Sequence, residues 1–98
     1  MPGMGDQMKM LNKMRKLQNE LKKEIVEVEA GDGAVLLQIN GEMKIVDLKL
    51  DAEKIDVDNL DELESWLKAA FRDGMKEAQE MAAEKMKPLM GNIGNLGF

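Results

Sequence analysis

Two long segments of helical periodicity, residues 8–24 and 59–86, flank a middle stretch too short to cover both, which limits the folds open to this 98-residue chain. Continued as one helix, the second segment would extend roughly 40 Å at about 1.5 Å per residue. A compact domain of this size has a radius of gyration of only about 13 Å. The helix must therefore project from the body or pack against another subunit, and the apolar stripe along it favours the second option. The chain is expected to dimerise and to hold out helices.

Several kinds of chemistry are excluded or reduced by what the chain lacks. It contains no Cys and no His, which removes thiolate nucleophiles, disulfides, imidazole bases and the usual zinc sites. It has no Thr or Tyr, so Ser65 is the only side-chain hydroxyl a catalyst could use as a nucleophile. An enzyme is not expected, and neither is a cofactor. No apolar run suffices for a membrane span and the short polar start has no signal-peptide pattern, so the expectation is a cytoplasmic protein without a membrane partner.

The net charge of −5 is unevenly distributed. Residues 1–24 carry six basic against three acidic side chains, or +3; residues 25–64 carry three against twelve, or −9; residues 65–98 carry five against four, or +1. The centre of the chain is acidic and its helical ends are not.

In the first helical segment Met10, Met14, Leu17 and Leu21 form a short heptad seam, widened by Leu11 and Ile25. At 100° per residue, Lys9, Lys13, Lys16 and Lys23 fall within about 80° of one another and away from that seam, interrupted by Glu20. Three strands follow. Residues 25–30 alternate apolar and acidic side chains, Gly31-Asp32-Gly33 marks a turn, and residues 34–40 and 43–50 supply the second and third strands. Asn40-Gly41 predicts a two-residue type I′ turn, which needs positive φ at both central positions. The result is an antiparallel meander with one face open to helices. Gly31-x-Gly33 is not a phosphate loop, because a strand rather than a helix follows it.

Residues 51–64 are dense in carboxylates, but the calcium-loop pattern fails: Leu60 stands where an oxygen ligand should be and Asp61 where glycine belongs. Asp58 is instead expected to cap the second helix, with Asp61 and Glu62 complementing its positive end. That helix sorts into three faces. Leu60, Leu63, Leu67, Ala70, Phe71, Gly74, Ala78, Met81 and Ala82 are apolar or small; Lys68, Arg72, Lys76 and Lys87 are basic; Asp73, Glu77, Glu80 and Glu84 are acidic. Gly74 costs about 1 kcal/mol relative to Ala inside a helix, which marks a close crossing or a bend. The ten methionines suit adaptable helix contacts. Met8-x-Met10 lacks the His or Cys support a copper site would need. Pro88 is expected to stop the helix, leaving residues 1–90 as one domain and 91–98 as a flexible Gly-rich tail.

The Gly33-x-Val35 entry, the string INGEMKIVDLKLD at 39–51 and the string LESWLKAAFRDGMKEAQEMAAEKM at 63–86, in this order and spacing, resemble the YbaB/EbfC nucleoid-associated proteins of bacteria. The likeness spans the whole chain, although Gly74 departs from the Ala expected there. It implies an α+β protomer of order α-β-β-β-α, with a three-stranded antiparallel meander and two long protruding helices. It further implies a homodimer that binds double-stranded DNA through those helices, with a role in organising the nucleoid or regulating genes. DNA replication or repair proteins are conceivable further partners. On this resemblance and the charge distribution, Lys9, Lys13, Lys16, Lys23, Lys68, Arg72, Lys76 and Lys87 are the candidate phosphate contacts. Met10, Met14, Leu17, Leu21, Leu67, Phe71, Gly74 and Ala78 are the candidate dimer interface. The main alternative is a dimeric protein adaptor that uses its Met-rich helix ends and has no significant DNA affinity.

Overall fold

The structure is a computed structural model and describes the backbone of residues 4–97 and the side chains of residues 7–88. The chain runs α1 (Met4–Lys23), β1 (Ile25–Ala30), β2 (Val35–Asn40), β3 (Ile45–Leu50), a single 3₁₀ turn (Ala52–Lys54) and α2 (Leu60–Gly97). The three strands form one antiparallel sheet in the order β1-β2-β3. The expected α-β-β-β-α order and meander are therefore present. The molecule is elongated, with extents of 68 × 24 × 15 Å and a radius of gyration of 18.9 Å, well above the roughly 13 Å of a compact domain of this size.

Core formation follows from strand parity. Val28 pairs with Leu37, Val26 with Ile39 and Ala30 with Val35, so these six side chains share one face of the sheet. α2 lies across that face over β1 and β2 and presents Ala70, Gly74 and Ala78 at intervals of four. This small-residue ridge lets the helix backbone approach closely. A Cβ at Gly74 would lie 2.8 Å from Ile39 Cδ1 and 3.2 Å from both Leu37 Cδ2 and Val28 Cγ2. Gly74 thus serves a close crossing rather than a bend. The closeness helps to seal Val35, Leu37 and Ile39 completely, each contributing about 1.5–3 kcal/mol of burial against the roughly 1 kcal/mol that glycine costs the helix.

α2 does not cover the third strand. Leu48 lies opposite Leu37 and Leu50 opposite Val35, on the core side of the sheet. Yet Leu48 and Leu50 remain 40% and 50% exposed, as do Ile45 and Val46 beside them at 55% and 47%.

The turn expected at Gly31-Asp32-Gly33 is present, whereas the Asn40-Gly41 hairpin differs from expectation. Positive φ at two consecutive central positions occurs at Asp32 (53°) and Gly33 (90°), closed by a hydrogen bond from the Ala34 N–H to the Gly31 carbonyl at 3.1 Å. The type I′ signature therefore belongs to Asp32-Gly33. Asn40-Gly41 instead opens a three-residue loop in which the left-handed residue is Met43, at φ 67°. The Met43 N–H donates to the Asn40 carbonyl at 3.0 Å, and the Asn40 Oδ1 accepts from the N–H groups of Glu42 and Lys44 at 2.9 and 3.0 Å. The longer loop explains why β3 begins at Ile45 rather than at Met43, and it adjoins a register shift opposite Gln38 and Ile39.

Two helix-end expectations are also corrected. Asp58 does not cap α2: Asn59 precedes the first helical residue, and the Asp58 N–H donates to Asp56 Oδ1 at 2.9 Å within a preceding turn. The side-chain cap found in this acidic stretch is Asp51, which accepts from the Glu53 N–H at 3.0 Å and starts the 3₁₀ turn. Pro88 does not stop α2, which continues to Gly97. Proline's fixed φ is itself helical, so a helix can pass through it at the expense of one backbone hydrogen bond. Phe98 and the side chains of the expected tail lie outside the described residues.

Gly31 is at φ +64°, and a Cβ there would lie 2.5 Å from the Trp66 indole. Gly31→Ala should destabilise the fold by about 2–4 kcal/mol, from left-handed strain and overpacking together. Urea unfolding followed by Trp66 fluorescence measures this directly.

Candidate nucleic-acid interface

α1 is held to the body at its C-terminal end. Leu21 is buried, while Met10 and Leu17 are half-buried and Met8, Leu11 and Met14 are exposed. The last carbonyls of a helix have no partners within it, and here the loop after β2 supplies them. The Gly41 N–H donates to the carbonyls of Leu21 (2.8 Å) and Glu24 (3.1 Å), and the Asn40 side-chain amide donates to the Lys22 carbonyl at 3.4 Å. An ion pair between Glu24 and Lys85 at 3.2 Å ties the same end to α2. Only glycine fits at position 41, where a Cβ would lie 2.7 Å from Leu21 Cδ2 and 2.9 Å from the Leu21 carbonyl oxygen.

This anchorage leaves Lys9, Lys13, Lys16 and Lys23 exposed, and none has an ion-pair partner among the described residues. A shallow concavity runs along the outward side of the helix, lined by Asn12, Arg15, Lys16, Asn19, Glu20 and Lys23. Arg15 and Lys22 are exposed cations on α1 absent from the sequence-derived set. They fall outside the 80° lysine cluster on the wheel, and including every cation of the helix would have found them.

The basic residues of α2 have a different setting. Lys68, Arg72, Lys76 and Lys87 are all exposed. Arg72, however, lies 3.5 Å from Asp73, and Lys87 lies 3.2 Å from Glu84. Lys76 borders a groove between β1 and α2 whose other charged walls are Glu27, Glu29, Asp73, Glu77 and Glu80. One lysine among five carboxylates does not make a cationic surface, so α1 carries the stronger positive face. Exposed ion pairs of this kind contribute about 0–1 kcal/mol to stability, and their main effect is to offset the local charge.

The candidate interface residues divide in the same way. Leu21, Gly74 and Ala78 are buried inside the chain's own fold, and Leu67 and Phe71 pack against its core. Met10, Met14 and Leu17 keep part of their surface. The large apolar surface left open lies elsewhere, at Ile45, Val46, Leu48 and Leu50, with Val57 and Leu60 also exposed. Sequence periodicity located the apolar stripe of α2 but could not tell whether its own sheet or a second chain would cover it. Among the described residues no group of acidic side chains is arranged to hold a metal ion, and no helix is long and apolar enough to cross a membrane.

An α+β fold that holds a cationic helix face beside an acidic body has the charge layout found in the class of proteins that engage polyanions. The chain is a member of the YbaB/EbfC DNA-binding family, whose pattern matches residues 1–93. A nucleoid-associated protein of Dictyoglomus thermophilum is 40% identical over 85 residues, covering 87% of this chain and 82% of that protein. One from Moorella thermoacetica is 34% identical over 103 residues, covering 98% and 99%. The crystal structure of an uncharacterized protein from Helicobacter pylori superposes with a TM-score of 0.71 at 26% identity, covering 91% of this chain and 89% of that one.

Gly41→Ala should displace the end of α1 from the loop after β2. Amide hydrogen exchange is expected to accelerate through residues 8–21 while the amides of β1 and β2 keep their protection.

Proposed function

We propose that the protein is a homodimeric nucleoid-associated factor that binds double-stranded DNA chiefly through the outward face of α1, and that it organises the nucleoid or regulates genes there. The observation that carries this reading is the exposed lysine row Lys9, Lys13, Lys16 and Lys23, unpaired among the described residues, in a chain of a DNA-binding family. Arg15 and Lys22 extend that face. Lys68, Arg72, Lys76 and Lys87 act as secondary contacts, weakened by the neighbouring carboxylates. The acidic sheet and groove turn away from the duplex and limit unproductive contacts. Phosphate neutralisation dominates such binding and makes it salt-dependent.

The second copy joins through the uncovered side of β3, where Ile45, Leu48 and Leu50 extend the protomer core to the surface. Covering them would complete the sheet's apolar face, and two-fold symmetry would double the cationic arms. Leu67 and Phe71 lie at the margin of this contact, and the part-exposed side of α1 at Met10, Met14 and Leu17 remains available to it. Residues 1–90 form the domain and 91–98 an appendage to it. DNA replication or repair proteins are candidate further partners. A protein-adaptor role draws on the exposure of Met8, Leu11 and Met14, but the lysine row favours DNA.

Fluorescence anisotropy on a duplex of about 30 base pairs should give a log–log salt slope of roughly −4 to −5, as for four to six neutralised phosphates. Joint replacement of Lys9, Lys13 and Lys16 by Ala should flatten it; no binding at low salt would remove the DNA reading and leave the adaptor. Leu48→Lys should convert the dimer to a monomer in size-exclusion light scattering, and an unchanged dimer would move the interface away from β3.

A further inference from the structure

We propose that Asn12 and Asn19 read adenine edges in the major groove, so that α1 contributes base selectivity as well as phosphate affinity. This rests on the DNA-binding function proposed above. Both residues line the concavity on the outward side of α1 and both are exposed. Neither amide makes a hydrogen bond with another described side chain or backbone group. A carboxamide offers two donors and an acceptor, the complement of adenine N7 and N6–H₂ in the major groove.

Their placement on the helix fits insertion. At 100° per residue, Asn12 and Asn19 lie within about 20° of each other and about 170° from the buried Leu21, so they point directly away from the protein body. Arg15 and Lys22 lie about 50–70° to one side of them and Lys16 and Lys9 about 50–70° to the other. A helix laid in the major groove has a phosphate chain along each wall, and this arrangement sends cations to both while the amides face the floor. Glu20, the one acid in the concavity, lies farther round the Lys16 side. Asn12 and Asn19 are seven positions apart, a rise of roughly 10 Å, or about two to three base-pair steps along the groove.

The test is selection by the full chain from a pool of random duplexes, followed by anisotropy on the enriched duplex and on a scrambled one. The expected motif contains two adenines two or three steps apart in each of two half-sites related by the dimer's two-fold axis. In the joint variant Asn12→Ala/Asn19→Ala, affinity for the motif should fall tenfold or more to the scrambled value, while affinity for the scrambled duplex stays within about twofold. Asn12→Gln/Asn19→Gln, which keeps the carboxamides, should retain adenine preference. Alanine favours helix at exposed positions, and circular dichroism of the variant checks that α1 persists. Duplex binding without any enriched motif, or a motif that survives the Ala variant, would overturn the base-reading role alone. Failure of the wild-type chain to bind any duplex at low salt would overturn the DNA-binding function and this proposal with it.

Discussion

The contact at Gly74 is the one on which the rest of the architecture depends. A helix backbone that comes within side-chain reach of Val28, Leu37 and Ile39 seals the centre of a three-stranded sheet, with Leu63, Trp66, Leu67 and Phe71 packed around that contact. Such close approach has a geometric consequence. A single helix at this distance cannot span the sheet, so α2 covers β1 and β2 and leaves the apolar side of β3 open. The exposed strand and the sealed core thus result from the same packing choice.

Much of the fold was legible in the sequence because its signals are local. The alternation in β1, the apolar stripe of α2 and the glycine at 74 each report a spacing or a backbone requirement confined to a few residues. The failures involve competition between local signals and tertiary contacts. Asn40-Gly41 has the composition of a tight turn, yet Gly41 is needed to fit beneath Leu21 and Asn40 to bond the loop and the end of α1. The tight turn goes to Asp32-Gly33, where the tertiary contact, Lys54 Nζ donating to the Asp32 carbonyl at 2.8 Å, is compatible with positive φ at both positions. Likewise Pro88 is a helix breaker by composition, but its backbone angle permits the helix to continue.

The candidate site was only partly legible for a related reason. A helical wheel identifies which charges share a face but not what stands opposite them. Lys76 looks like part of a basic ridge until β1 brings Glu27 and Glu29 beside it. Lys9, Lys13 and Lys16 lie on a helix whose outward side meets no other element among the described residues, so the helical wheel suffices to place them there. Charges on one helix can be ranked by periodicity alone, whereas pairing across elements 40 or more residues apart requires the fold.

The way α1 is fastened gives it a mechanical character distinct from the sheet. Among the described residues its polar fixed points are the carbonyls of Leu21, Lys22 and Glu24 and the ion pair to Lys85, all at one end. A 20-residue helix whose described backbone bonds and ion pair cluster at one end behaves as a cantilever, and most helical stability in proteins comes from tertiary packing rather than from propensity. The arm therefore has a local opening free energy well below that of the core. Any ligand gripping its outer face must first bear the entropy of stiffening it, so affinity for that ligand depends on how firmly the hinge at Asn40 and Gly41 holds as well as on the arm's charges.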